Sequence, residues 1–378
     1  MAKVSVVVPV YNVEQYLEEA LRSLVRQTLH DIEIVVVNDG STDGSLEIIR
    51  RFMENDSRIV LIDKENGGYG KAMNVGLDRA AGEYIGILEP DDYVPLDMYE
   101  DLYEAAHAHD LDLVKADFYR FTTDDETGNM QLFYNHLDKD GTHYNQVLDP
   151  SQDPSLTKFI MNTWSGIYKK SFLDEHGIRH HETPGAAFQD NGFFWLTFVY
   201  ARRAMFIDRP YYRNRRDNPN SSVNSREKVY CMNLEYDYIR TILKKNEDRT
   251  VWDRFKGYYN VKRFSNYLFT LSRIAPEFRV EYIKRISREF KTADERGELD
   301  LMLFGINTRK KLQILMRSPQ EYYQKYAKYD LAKKELDPAA QRLKEIENST
   351  TYRVGRTVMT VPIAAKNTLD VIRRELRR

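Results

Sequence analysis

Four short runs of apolar, mostly β-branched residues, Val4–Val8, Ile32–Val37, Ile59–Ile62 and Tyr84–Leu88, constrain this chain more than any other feature. Between them lie segments of helical period. Glu14–Gln27 carries Tyr16, Leu17, Ala20, Leu21, Leu24 and Val25 at helical spacing, and Ser45–Met53 and Tyr69–Ala80 follow. Such alternation is the pattern of βαβ units, and near-continuous Val/Ile strands require cover on both faces. A helix over Leu96–His109 and a strand over Asp112–Lys115 extend the series. The expected fold is α/β and Rossmann-like, with a mostly parallel sheet.

Each run is followed by a polar cluster, and ligands of open α/β sheets bind just past the carboxyl ends of strands. The clusters are Pro9-Val10-Tyr11-Asn12, Asn38-Asp39-Gly40-Ser41-Thr42-Asp43-Gly44, Asn66-Gly67-Gly68-Tyr69-Gly70-Lys71 and Glu89-Pro90-Asp91-Asp92. Any one of them reads equally well as ordinary turn and cap residues. Four at one sheet edge define a site. Two nucleotide fingerprints fail here: no Gly-x-Gly-x-x-Gly follows the first strand, and Gly70-Lys71 is followed by Ala72, with Glu65 where a Walker loop needs its first glycine. The three carboxylates of Glu89-x-Asp91-Asp92 repel one another, a cost that a bound cation with hard oxygen ligands offsets. A divalent metal, Mn or Mg, bridging a diphosphate suits them. The competing reading is a solvated acidic turn before Pro95.

Composition narrows the function classes. The 378 residues carry Lys+Arg 56 against Asp+Glu 58, net −2, which gives no basic field for nucleic acid. No stretch approaches the ~18 apolar residues of a membrane span, and mean hydropathy is −0.61. The single Cys231 cannot form an intrachain disulfide. With no leader-like segment before the first strand, a cytoplasmic location is expected.

From Thr122 to Pro154 the pattern dissolves into an irregular excursion. Periodicity returns at Thr163–Lys169 and Asp190–Ala201, then a loop over Arg213–Ser225 precedes helices over Arg226–Lys245, Val251–Ser272 and Glu277–Phe290. The expected organisation is a domain over 1–222, with a donor half of about 1–117 and an acceptor half of about 118–222, a helical domain over 223–318 and a helical tail over 319–378. Tyr322, Tyr326 and Tyr329 form one stripe of the tail, and beyond Val358 apolar residues mix with Lys366, Arg373, Arg374, Arg377 and Arg378. Such a tail suits either a peripheral membrane contact or a second copy of the chain.

The motifs Ser5-Val6-Val7-Val8-Pro9-Val10-Tyr11-Asn12, Val37-Asn38-Asp39-Gly40-Ser41-Thr42-Asp43, Asn66-Gly67-Gly68 with Asn74-x-Gly76, and Leu88-Glu89-Pro90-Asp91-Asp92-Tyr93 resemble the inverting glycosyltransferase family two over residues 3–222. The resemblance implies the nucleotide-diphospho-sugar transferase (GT-A) fold and a metal-dependent transfer from a nucleotide-diphosphate-sugar, a UDP-sugar favoured. The implied acceptor is a carbohydrate, often lipid-linked, in bacterial surface-polysaccharide synthesis. It implies Pro9, Tyr11 and Asp39 at the nucleoside, with Asn66, Gly67 and Lys71 beside the ribose and phosphates. Asp91 and Asp92 would divide ribose and metal contact, Asp92 being the favoured ligand.

The same resemblance makes Asp190 the base that takes the acceptor hydroxyl proton, against the plain alternative of a helix N-cap. Arg216, with Arg213 second, would meet the diphosphate in a segment ending at Ser221-Ser222. Trp164, Trp195 and His181 are acceptor-side candidates. Glu89-Pro90 stands where the family commonly has Asp-Ser, and Gln189 where it has Glu, which removes a negative neighbour from Asp190. Two other classes stay open: a nucleotidyltransferase, disfavoured by the missing Gly-rich loop, and a non-catalytic sugar- or nucleotide-binding protein.

Overall fold

The computed structural model describes residues 2–124, 127–186, 188–221, 226, 228–246, 248 and 250–328. Every residue of β1 (Val4–Val10) is buried, as a central parallel strand demands. It pairs in parallel with β2 (Ile32–Asp39) and with β4 (Tyr84–Ile87), and β2 pairs with β3 (Ile59–Lys64). The helices α1 (Glu14–Val25), α2 (Ser45–Asn55), α3 (Tyr69–Arg79) and α4 (Met98–Ala108) bury their apolar stripes. At Gly76 of α3 an added Cβ would lie 2.3 Å from Val7 Cγ1, so the helix packs on β1 closer than any side chain allows.

Beyond β4 the sheet turns antiparallel. The eight strands run β3-β2-β1-β4-β7-β5-β6, with β8 on β5. The long strand β5 (Leu113–Thr123) takes β7 (Gly166–Lys169) and then β6 (Met130–Asn135) antiparallel, while β8 (Ala204–Arg215) runs parallel to it. Three features depart from the sequence expectation. β5 extends well past Lys115, β6 lies inside the stretch expected to be irregular, and β8 occupies residues read as connection and loop. Their compositions explain the difference. β6 has five exposed residues out of six, and β8 (AMFIDRPYYRNR) mixes buried aromatics with charges and a proline, so neither shows the apolar run of a doubly covered strand.

The helix α5 (Lys170–Glu175) follows β7, and α6 (Asp190–Tyr200) is buried on nearly all sides. Against it pack α7 (Cys231–Lys245) and, through Trp195, Phe255 and Tyr259, α8 (Thr250–Leu271). The helix α9 (Pro276–Glu295) packs on α8, where Arg263, nearly fully buried, pairs with Glu289 at 2.7 Å. By compactness the chain divides after Gly305, and α7–α9 lie in the unit that holds the sheet. The described part of the second unit contains α10 (Ile306–Arg317) and the one-turn α11 (Pro319–Tyr322), continued as a π-helical turn over Tyr323–Ala327, where Tyr322 and Tyr326 meet at 5.8 Å. Tyr329, Ser222 and the basic apolar stretch after Val358 lie outside the described residues.

Candidate active site

The carboxyl ends of β1, β2 and β4 open into a cleft of about 1180 Å³. Its walls are completed by the turn after β3, the segment before α6, the end of β8 and one face of α8. Its size exceeds that of a single small-ligand pocket, roughly 300–1,000 Å³. Pro9, Tyr11, Asp39, Asn66, Asp91, Asp92, Asp190 and Arg216 of the expected residues all line it.

On the first wall Tyr11 is half exposed, and Asn12 adopts a left-handed φ of 51° while its Oδ1 accepts from Thr42 N at 2.8 Å. Asp39, almost fully buried, accepts from Gly67 N and Gly68 N at 2.9 Å each and pairs with Lys64. Its carboxylate thus fixes the turn after β3 while still lining the cleft. Gly68 has φ +88°, and a Cβ there would lie 2.8 Å from Gly185 N and Thr183 O, so this turn meets the segment before α6 backbone to backbone. Asn74 fastens the same seam, donating to His180 O at 2.9 Å and accepting from His180 N at 2.8 Å. Gly67 and Lys71 do not line the cleft; Lys71 is exposed, its stem beside Gly67.

The acid turn after β4 is held from β8. Asp92 Oδ1 accepts from Arg215 N at 2.6 Å and Oδ2 from Asn214 Nδ2 at 3.0 Å, while Asp91 Oδ2 accepts from Asn218 Nδ2 at 2.8 Å. Arg215 adds a bond from Nε to Asp91 O at 2.9 Å and stacks over Tyr16 and Phe121. Burial first, then the charge of Asp91, pushes the Asp92 carboxyl well above the usual range. Burial likewise pushes Glu89 up to about 8, against a 2.7 Å bond from Tyr69 OH, with Asp91 and Asp190 adding to the rise. Hard oxygens destabilised by burial and by one another fit a divalent cation. Among the described residues no three His, Cys, Asp or Glu side chains converge as a protein-only metal site, so such an ion would draw further ligands from diphosphate and water.

Asp190 opens α6 and faces the same space; its charge is felt by both Glu89 and Tyr69. Burial raises its pKa, although Asn191 donates to Oδ1 at 3.0 Å. Gln189 also lines the cleft, and its amide donates to Thr183 Oγ1 at 2.8 Å and Gly185 O at 3.0 Å, bracing the loop before α6.

A family model described as Glycosyl transferase family 2 matches residues 5–174. Glycosyltransferase GlyG of Streptococcus pneumoniae is 33% identical over 219 residues, 56% of this chain and 70% of GlyG. The chain belongs to glycosyltransferase family 2. The uncharacterized glycosyltransferase EpsJ of Bacillus subtilis is 36% identical over 219 residues, covering 58% of this chain, and the chain spans only 62% of EpsJ's length. In fold, the chain resembles S. aureus TarS 1–349 in complex with UDP-GlcNAc, with TM-score 0.62 at 21% identity over 85% of this chain and 91% of that one. The architecture is accordingly that of the GT-A transferases.

Within this family 2 chain the acceptor-side expectations divide. Trp164 lines the cleft, its ring stacked on Tyr212 at 4.2 Å, and the Tyr212 hydroxyl in turn accepts from Glu89 N at 3.0 Å. Trp195 is a correction: it is fully buried between α6 and α8 and offers no platform to a ligand. His181 also lies off the cleft lining, stacked on Tyr238 at 3.8 Å with Nδ1 2.8 Å from Glu235 Oε2. Arg213 is outside the lining as well, over the Tyr119 ring.

Several cleft residues had no role expected from sequence: Tyr69, although it stands in the third polar cluster, Arg120, Asn214, Arg215, Asn218 and the α8 face. Glu235 is another. Buried on α7, it accepts from Gly192 N at 3.0 Å in the first turn of α6, where any Cβ at 192 would sit 2.5 Å from its Oε1. The motif spacing could have suggested only Arg215, neighbour of the expected Arg216.

Proposed function

We propose that the cleft transfers a sugar from a nucleotide-diphosphate-sugar, a UDP-sugar favoured, to a carbohydrate hydroxyl with inversion at the anomeric carbon. The observation that carries this reading is the meeting, in one cleft, of the Asp91–Asp92 turn with Asp190 and the Arg216 guanidinium. The nucleoside lies over Pro9, Tyr11 and Asp39, with Asn66 at the ribose and phosphate edge. Asp91 and Asp92 would hold a Mn or Mg ion, whose chemistry is charge neutralisation of the diphosphate.

Asp190 accepts the acceptor hydroxyl proton as that oxygen bonds to the anomeric carbon; the bond from that carbon to the diphosphate oxygen breaks with its electron pair, and the new charge faces Arg216. A carboxyl raised by burial is a stronger base than an ordinary one, provided the pH keeps it ionised. The half-division at about 117 assigns donor and acceptor to different sheet regions. Membership of the family and the relatives named above support a place in bacterial surface-polysaccharide synthesis with a lipid-linked acceptor at the cytoplasmic face of the membrane. No described helix is long and apolar enough to cross a membrane, and the tail beyond 328 would make the membrane contact.

Thermal-shift measurements against nucleotide diphosphates and nucleotide-sugars, with and without Mn or Mg, test the donor site. Metal-dependent stabilisation by one nucleotide, lost in Asp92→Asn, is expected. No shift with any nucleotide, in a folded protein, refutes the reading and leaves the non-catalytic alternative.

A further inference from the structure

Four of the acids lining the cleft, Asp39, Glu89, Asp91 and Asp92, come from the strand ends of the first half, and Asp190 is the exception, whereas the lining cations Arg120, Lys158, Arg215, Arg216, Lys228 and Lys262 come from β5 onward. Arg215 is tied to Glu19 and Asp217. Among the described residues none of the other five cations has a carboxylate partner. Lys228 donates to Ala186 O and Lys262 to Phe159 O, Lys158 lies over the Tyr258 ring at 5.2 Å, and Arg120 Nε is buried without any hydrogen-bond partner. Arg120, Lys228 and Lys262 are partly buried while Lys158 and Arg216 reach solvent, and like charges gathered without counter-ions are unfavourable unless an anion completes the site.

The cations are arranged around a ligand-shaped face. Tyr258, Val261, Lys262, Ser265, Asn266 and Phe269 follow one another at helical spacing along α8 and line the cleft together. Arg273, one turn on, stacks on the half-exposed Phe269 at 4.1 Å. Arg120, Arg216 and Arg273 gather near that end: burial and the charge of Arg216 depress Arg120, and burial with the charges of Arg216 and Arg120 depresses Arg273. With Arg216 left to the donor, Arg120, Lys158 and Lys262 reach the cleft from different elements, and a phosphate presents oxygens in several directions where a planar carboxylate accepts one bidentate pair. The face therefore offers aromatic rings for sugar or polyol faces, with cations set between them.

We propose that the wall formed by α8, Arg120 and Lys158 is an acceptor subsite for a phosphate-bearing chain. It rests on reading the cleft as a transfer site, and it adds the class of acceptor. The donor's diphosphate does not account for Arg120, Lys158, Lys228 and Lys262, because that group is assigned to the acid turn and Arg216.

The test uses the full chain and three fluorescent probes: a poly(glycerol phosphate) oligomer, a polygalacturonate oligomer and a dextran oligomer. Fluorescence anisotropy is read alongside the nucleotide thermal shift. The phosphate oligomer is expected to bind at least about tenfold tighter than dextran, with an affinity that falls as salt rises. Arg120→Gln and Lys158→Gln should each weaken it about threefold to tenfold while the nucleotide shift stays unchanged. Lys158 is exposed, so its variant keeps the fold even if Arg120→Gln does not.

Equal binding of phosphate oligomer and dextran overturns the proposal, as does polygalacturonate binding as tightly as the phosphate oligomer. Complete displacement of the probe by a nucleoside diphosphate overturns it too, since the anion site would then be the donor's. A chain that shifts with nucleotide and ignores the phosphate probe refutes the subsite alone. A chain that shifts with no nucleotide refutes the transfer reading beneath it.

Discussion

The two sides of the cleft are built by different rules. On the donor side parallel strands buried on both faces deliver turns whose side chains are tied to each other, Asp39 to Gly67 and Gly68, Asn12 to Thr42. On the acceptor side an antiparallel edge, the end of β8 and a helix face contribute cations held by carbonyls and rings. In the proposed transfer the donor side presents acids to a cation and a nucleotide, and the acceptor side presents cations around one carboxylate, Asp190. A parallel-sheet edge fixes its ligand through backbone turns, whereas the added wall is free to vary in side chains while the fold stays the same.

The sharpest break between the two sides would come at Asp190. Asp190→Asn should lower the transfer or donor-hydrolysis rate by roughly 10²–10⁴-fold, the usual worth of a general base, with nucleotide-induced stabilisation retained. An equal loss of nucleotide binding would place Asp190 with the donor side instead. Next is Trp195→Ala, which opens a void between α6 and α8 and should cost about 3–5 kcal/mol in denaturant unfolding. Trp164→Ala, at the cleft surface, should cost markedly less in the same measurement while weakening acceptor binding.

Gly192→Ala tests the join between α6 and α7. The added methyl meets Glu235 Oε1 at 2.5 Å, and a loss of about 1–3 kcal/mol is expected. The smallest effect is one of pH. Burial and the charge of Asp190 push Glu235 up to about 8, so between the ordinary glutamate value and pH 8 the folded chain binds more protons than the unfolded one. Stability contributed by this group is full below that window and falls as pH rises through it. Glu235→Gln should flatten that fall; an unchanged profile would show that another group carries it.

The donor side was legible because its physics is written locally. Val4–Val8 and Ile32–Val37 announce doubly covered strands, and each strand end changes abruptly to Asn, Asp and Gly. The acceptor side was not. β8 alternates Tyr211 and Tyr212 with arginines and contains Pro210, so its twelve residues look like connection until β5 is there to pair with. Trp195 and Trp164 are alike in sequence, and only the arrival of α8 decides which ring is enclosed. Gln189 shows the same limit. Read as a change in the neighbourhood of Asp190, it is in space a brace for Thr183 and Gly185.

The seam at Gly68, Gly70 and Asn74 has a consequence for recombination. An added Cβ at Gly70 would lie 2.1 Å from His181 O, so the two half-domains interlock through main chain with no side-chain layer to absorb a mismatch. A chimera that takes its first half from another member of the family must therefore inherit residues 180–190 from the same parent. The boundary at which such modules can be exchanged is then set by this interlock rather than by the end of any strand.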